Sequence, residues 1–294
     1  MTSDEKKGIV LALAGATGWG LSGTCGQFLF SYSSVAPLTV TIYRLIFSGI
    51  LLILIGLFTH PKGMPDVFRD WKTILHLVFY SVFGVGLCQL SYLSAIRYSN
   101  SGTATVLQSA GIVLVFIIVS IMQRKAPKPF ECICLVLVTG GVFLLATHGD
   151  PSHLQLSREG LFWGLAAAVA VALYTLLPGK LMERFGTIPI LGYAMLIGGL
   201  LLFIFSGDQR ILTDTRPITI LSMAFIVTVG TAMGFGCYLS GVRLCGARKA
   251  SMLSSLEPVV ATLTSFLFLH TVFMPMDLAG FAAVLLGCIL LSAR

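Results

Sequence analysis

Charge is scarce in this sequence: Asp, Glu, Lys and Arg make up only 11% of its 294 residues. A soluble domain carries roughly 25%, so an ordinary water-facing surface is excluded. Cysteine is present but unorganised. The seven are an odd number, none forms C-x-x-C, and most sit in apolar runs. Cys132 and Cys134 are two apart, which puts them on different sides of a helix. That argues against a disulfide framework or a zinc site, and no metal ligand is nominated. The five histidines form no H-E-x-x-H, and no G-x-x-x-x-G-K-[ST] occurs. These absences leave no catalytic residue to nominate, no cofactor, and no ATPase activity. Long linkers and low-complexity tracts are missing too.

What fills the chain is apolar. Hydrophobic residues are 56% of it and the mean hydropathy is +0.93. A span of the hydrocarbon core needs about 20 such residues. Ten segments qualify: 8–30, 35–58, 73–95, 102–122, 129–147, 160–178, 188–206, 217–242, 250–269 and 277–293. The opening K-K-G and apolar run imitate a signal peptide, but the run is too long and many equals follow, so it reads as a retained first helix. The net charge of +7 lies in short corners rather than on one face, which argues against nucleic acid as a partner. With the N-terminus inside, fourteen of the nineteen Lys and Arg fall on the cytoplasmic side. Four, Arg97, Arg158, Arg210 and Arg216, fall outside, and Arg44 lies within a span. This bias predicts both termini in the cytoplasm.

The chain also repeats itself. Tyr92–Ser109 reads YLSAIRYSNSGTATVLQS, and 146 residues later Tyr238–Ser255 reads YLSGVRLCGARKASMLSS. Gly84 and Gly230, Pro129 and Pro275, and Gly141 and Gly287 match at the same offset. In the first two spans the offset is 152, pairing Gly8 with Gly160 and Pro37 with Pro189. Five spans per half is an odd number, so the second copy enters the membrane from the opposite side. The expected fold is therefore all-α and integral to the membrane: ten transmembrane helices as two inverted five-helix repeats around a central cavity. The boundaries are 1–147 for the first repeat, 148–159 for the loop and 160–294 for the second, inverted repeat.

Gly18-Trp19-Gly20 followed by Pro37, then YRLIFSGILLIL from Tyr43, and ASMLSSLEP at Ala250–Pro258, resemble the drug/metabolite transporter superfamily. The likeness is to chains with two tandem EamA-type domains, and it covers nearly the whole sequence. It implies a ten-helix secondary transporter, exporting amino acids or other small metabolites, in a bacterial-type plasma (inner) membrane. The sequence departs from the family in two places. Gly111-Ile112 stands where the second copy has Glu257-Pro258, and Arg124 and His270 replace an acidic residue that the family often places after the fourth and ninth helices.

The residues themselves suggest a lining. Gly18–Gly23 matches G-x-G-x-x-G, but within a membrane span it cannot be a dinucleotide loop; it lets a helix approach closely, with Trp19 and Ser22 sharing a face. Gly164, Ala168 and Ala172, and Gly230 with Gly234, read as similar seams. Trp19, Ser22, Gln89, Tyr92, Gln108, Tyr174, Tyr238 and Ser254 supply amide, hydroxyl and aromatic groups from both halves. Together they suit a small amphipathic solute. Taken singly, each could equally be an interhelical hydrogen bonder, and Tyr92 and Tyr238 could be interface-belt residues.

Glu257 is the only acidic residue deep in a span, about 10 Å below the cytoplasmic surface. It is a candidate for proton coupling or for a structural hydrogen bond at the Pro258 break. Arg44, about 13 Å below the outer surface, differs from it in depth by about 7 Å. It either pairs with Glu257, faces the cavity alone, or clamps neighbouring carbonyls. The expected partners are a small-molecule substrate and the bilayer, in a monomer or homodimer. A membrane-embedded lipid-handling protein or enzyme is the alternative.

Overall fold

The computed structural model describes residues 3–59, 65–124, 126, 128–150, 153–207 and 212–292. Lys62, Lys125, Arg210 and Arg294 of the charge count lie outside them. Among the described residues the chain forms ten apolar helices. In chain order they are α1 Ser3–Tyr32, α2 Pro37–Thr59, α3 Trp71–Tyr98, α4 Ser101–Met122 and α5 Pro129–Thr147. The second half gives α6 Arg158–Leu176, α7 Thr187–Phe205, α8 Pro217–Cys245, α9 in two pieces, Ala247–Ser254 and Leu256–Leu269, and α10 Pro275–Ser292. Large apolar side chains such as Phe58, Ile121, Val136 and Phe205 project outward. They are stable there only against lipid. The chain is a multi-pass integral membrane protein.

The halves are inverted repeats, and their packing shows it. α1 packs on α8 and α9, while its counterpart α6 packs on α3 and α4. α2 meets α7, and α5 meets α10, each helix against its own equivalent. Exchanging the two halves leaves this list unchanged, as a pseudo-twofold axis requires. Local detail repeats as well. The π-helical turn Tyr80–Gly86 in α3 recurs as Thr228–Met233 in α8. The bend at Ala110 in α4 recurs at Ser255 in α9, one residue off register. Arg124 and His270, in register at the ends of α4 and α9, both adopt left-handed backbone, with φ of 53° and 52°.

Sequence chemistry explains the ends and the breaks. Asn100 caps α4 by accepting from Thr103 N at 2.8 Å, and Pro129, Pro217 and Pro275 stand where helices begin. Pro258 cannot donate to the Ser254 carbonyl, so α9 bends there. Pro178 has the same effect beyond α6. The expected span 160–178 ends at Leu176, and a separate short helix, Gly179–Phe185, follows. Beside this break the Leu177 carbonyl lies 2.8 Å from His76 Nε2 of α3. At the equivalent place in the first half α1 runs unbroken to Tyr32, and there Cys25 Sγ meets the Ser222 carbonyl of α8 at 3.6 Å.

Small residues set the seams. Gly164 lies against Leu107, and a Cβ on Gly234 would stand 2.7 Å from Trp19 Nε1. Gly230 is tighter still: a Cβ there would land on the Ser22 side chain. Among the described residues no disulfide joins two cysteines.

Candidate functional site

A cavity of about 410 Å³ lies between the halves. Its lining contains both members of six repeat pairs: Trp19 and Val171, Gln89 and Phe235, Tyr92 and Tyr238, Gln108 and Ser254, Ser109 and Ser255, Ile112 and Pro258. A chamber that touches a residue and its equivalent must straddle the pseudo-twofold axis. The pairs match in position but differ in chemistry. An aromatic wall of Trp19, Phe235 and Tyr238 stands on the α1–α8 side, with ring centroids 5.0 and 4.9 Å from Trp19. An amide and hydroxyl wall stands on the α3–α4 side. There Tyr92 Oη lies 3.1 Å from Thr105 Oγ1, and Gln108 Nε2 donates to Cys88 Sγ at 3.6 Å.

Of the residues nominated from sequence, Trp19, Gln89, Tyr92, Gln108, Tyr174, Tyr238, Ser254, Glu257 and Arg44 all line this chamber. Ser22 does not. It is 2% exposed and turned onto Gly230 in the π-turn of α8, and among the described residues its Oγ has no hydrogen-bond partner. The reason is helical geometry. Three residues advance about 300° around the axis, which swings Ser22 about 60° from Trp19 and off the cavity face. Tyr92 is 5% exposed and Tyr238 stands beside Trp19, so neither is an interface-belt residue.

Arg44 is 5% exposed, and its fork is already engaged. Nε donates to Thr231 Oγ1 at 2.9 Å and Nη2 to the Gly230 carbonyl at 3.3 Å. It thus crosses from α2 to hold the π-turn of α8, where the wider winding leaves carbonyls displaced. Among the described residues no carboxylate lies within ion-pair distance of Arg44. Glu257 enters the same chamber one residue before Pro258, beside the bend of α9. Guanidinium and carboxylate therefore share one cavity without closing on each other.

Sequence reasoning missed Cys88, Thr105, Ser255, Met182 and Phe235, which also line the cavity. Register alone could have found Phe235, the partner of Gln89, whereas Ser255 and its own partner Ser109 were both missed. Met182 carries no such signal, because it reaches the chamber only on the helix that breaks off at Pro178.

The profile of the EamA-like transporter family matches residues 6–147 and again 158–293. The chain belongs to that family. An uncharacterized inner membrane transporter of Salmonella typhimurium, YicL, is 35% identical over 98% of this chain and 95% of its own length. An uncharacterized transporter of Archaeoglobus fulgidus is 26% identical over 96% of this chain and 97% of that one. A crystal structure superimposes with a TM-score of 0.64 at 15% identity, covering 98% of this chain and 96% of that one. At that identity the likeness is one of fold. Membership makes the chain a transporter, with a small-molecule substrate and a membrane around it. The two matched segments meet near the same connection that divides the repeats.

Proposed function

We propose that the protein is a secondary transporter moving amino acids or similar small amphipathic metabolites by alternating access, as an exporter. One observation carries the reading: a mid-protein cavity, built from equivalent residues of two inverted halves, extends toward only one face. Pro178, Met182 and Thr187 continue its lining to the corner between α6 and α7, on the face where α1 begins. Toward the other face the lining gives way to buried Thr24, Ser101, Thr264 and Ser265. Rocking one half against the other would exchange the two ends, because inverted repeats can adopt each other's conformation.

The face reached by the cavity carries the excess of Lys and Arg, which assigns it to the cytoplasm with both termini. The inner-membrane relative agrees with a bacterial-type plasma membrane. A solute would then load from inside, as export requires. Aromatic faces suit an ammonium group or an apolar side chain, and Glu257 is placed to accept either a proton or a cationic head. The repeat boundaries are 1–147 and 160–294, joined by 148–159.

The test is a panel of labelled metabolites in proteoliposomes, with and without an imposed pH gradient. Movement of amino acids by wild type, faster down a proton gradient and indifferent to it in Glu257→Gln, is the expected result. Uptake of nothing in the panel removes the substrate assignment. Transport by wild type that ignores the gradient removes proton coupling.

A further inference from the structure

Two inverted repeats of identical sequence would favour neither face, so the direction in which this cavity opens must come from residues the halves do not share. The closed end holds a set of neutral hydrogen bonds centred on Gln27 of α1. Gln27 Oε1 accepts from Ser101 N, the first turn of α4, at 2.8 Å and from Ser265 Oγ of α9 at 2.8 Å. Its Nε2 donates to Thr271 Oγ1 at 2.9 Å, and Thr271 Oγ1 lies 2.6 Å from Ser265 Oγ. One turn deeper, Thr24 Oγ1 meets Thr264 Oγ1 at 2.6 Å and reaches the Ala261 carbonyl at 3.3 Å. The group joins α1 and α4 of the first half to α9 of the second.

Among the described residues none of this has a counterpart at the open end. At the repeat offsets, Gln27 becomes Gly179, Thr24 becomes Leu176, Thr264 becomes Ile118, Ser265 becomes Val119 and Ser101 becomes Ala247. The helix that would carry the equivalents is broken at Pro178, whereas α1 continues straight through Gln27. We infer that Gln27 is a positioning residue for transport: it latches the end of the protein opposite the cavity mouth, and this one-sided latch holds the site toward the α6–α7 face.

The latch contains no ion pair, so opening it strands no charge and its groups can bond water instead. Each neutral hydrogen bond shifts an equilibrium about fivefold. Loss of the three at Gln27 should therefore move the population between the two ends by roughly tenfold to a hundredfold. The inference rests on the alternating-access reading above, and the experiment separates the two.

Hydrogen–deuterium exchange on the full chain in nanodiscs would compare wild type, Gln27→Leu, Thr271→Val and Pro178→Ala. The amides of 101–105 and 265–274 report the latched end, and those of 179–190 report the open end. In Gln27→Leu the first set should exchange on the order of tenfold or more faster while the second set slows, and Thr271→Val should show the same pattern more weakly. Pro178→Ala perturbs the opposite end, and by letting α6 continue it should produce the same reciprocal change.

Faster exchange at the latched end with no slowing at 179–190, or no change at the latched end, overturns the latch. If Pro178→Ala still couples the ends, the latch fails alone. If no variant couples them, the two-state reading fails with it. A Gln27→Leu protein that does not fold leaves Thr271→Val to decide by the same criterion.

Discussion

Replacing Ser22 by alanine should make this protein more stable, which is the reverse of what removing a polar group between helices usually does. The Ser22 side chain is buried against the π-turn of α8, and among the described residues its Oγ has no hydrogen-bond partner. A buried hydroxyl left unpaired costs about 1–3 kcal/mol. Losing its packing gives back a fraction of that, so a net gain of about 1 kcal/mol is expected. In a chain of this size that raises the thermal midpoint by about 2 °C.

Gly230→Ala probes the same contact from the other side and should have the opposite sign. Its new Cβ would fall onto Ser22 Oγ and Cβ, and overpacking of this kind costs about 1–3 kcal/mol. Alanine's better helix propensity offsets at most about 1 kcal/mol of it. Moving the side chain across the seam, as Ser22→Gly with Gly230→Ala, should recover most of the loss, with a coupling on the order of 1–2 kcal/mol. Midpoints measured in nanodiscs for the three variants decide it. A Ser22→Ala protein that melts several degrees below wild type would mean that the hydroxyl is bonded and the seam is not dry.

Other residues make separate demands. Arg44→Leu removes the donors held by Thr231 and the Gly230 carbonyl and should cost about 2–3 kcal/mol; Arg44→Lys, which lacks the fork, should recover less than half of that in the same melting assay. Trp19→Ala should weaken solute binding about tenfold through the lost ring contact, read as a rise in half-saturation for transport, and should also lower the melting midpoint because the ring packs against Phe235 and Tyr238. At the loop before α8, Arg216 beside Asp214 holds that carboxyl well below the usual carboxylate range, and Nη2 bonds both Asp214 Oδ2 at 2.6 Å and the Tyr32 carbonyl at 3.2 Å. A depressed folded pKa means that this clip contributes above the unfolded value of about 4 and is lost only as pH falls through the lower, folded value. Asp214→Asn should speed hydrogen exchange across 212–219 at neutral pH, and wild-type protection of the same stretch should persist down to about pH 4.

The sequence by itself determined the membrane class, the helix count and the inverted duplication. Each follows from one-dimensional quantities: run length against bilayer thickness, and spacing between matching residues. It also brought most of the cavity within reach, since Tyr92 with Tyr238 and Gln108 with Ser254 could be paired by register before any coordinates. Three things needed the tertiary structure. Ser22 left the cavity because rotation about a helix axis resolves residues that spacing alone puts on one face. Arg44 turned to the π-turn of α8 rather than to Glu257, because the displaced carbonyl of Gly230 offered a partner that the sequence does not display. The difference between the two ends came from an unbroken α1 carrying Gln27 and an α6 that stops just before Pro178. Hydrogen bonds among Gln27, Ser101, Ser265 and Thr271 join residues up to 244 positions apart, and only folding brings such groups within bonding distance.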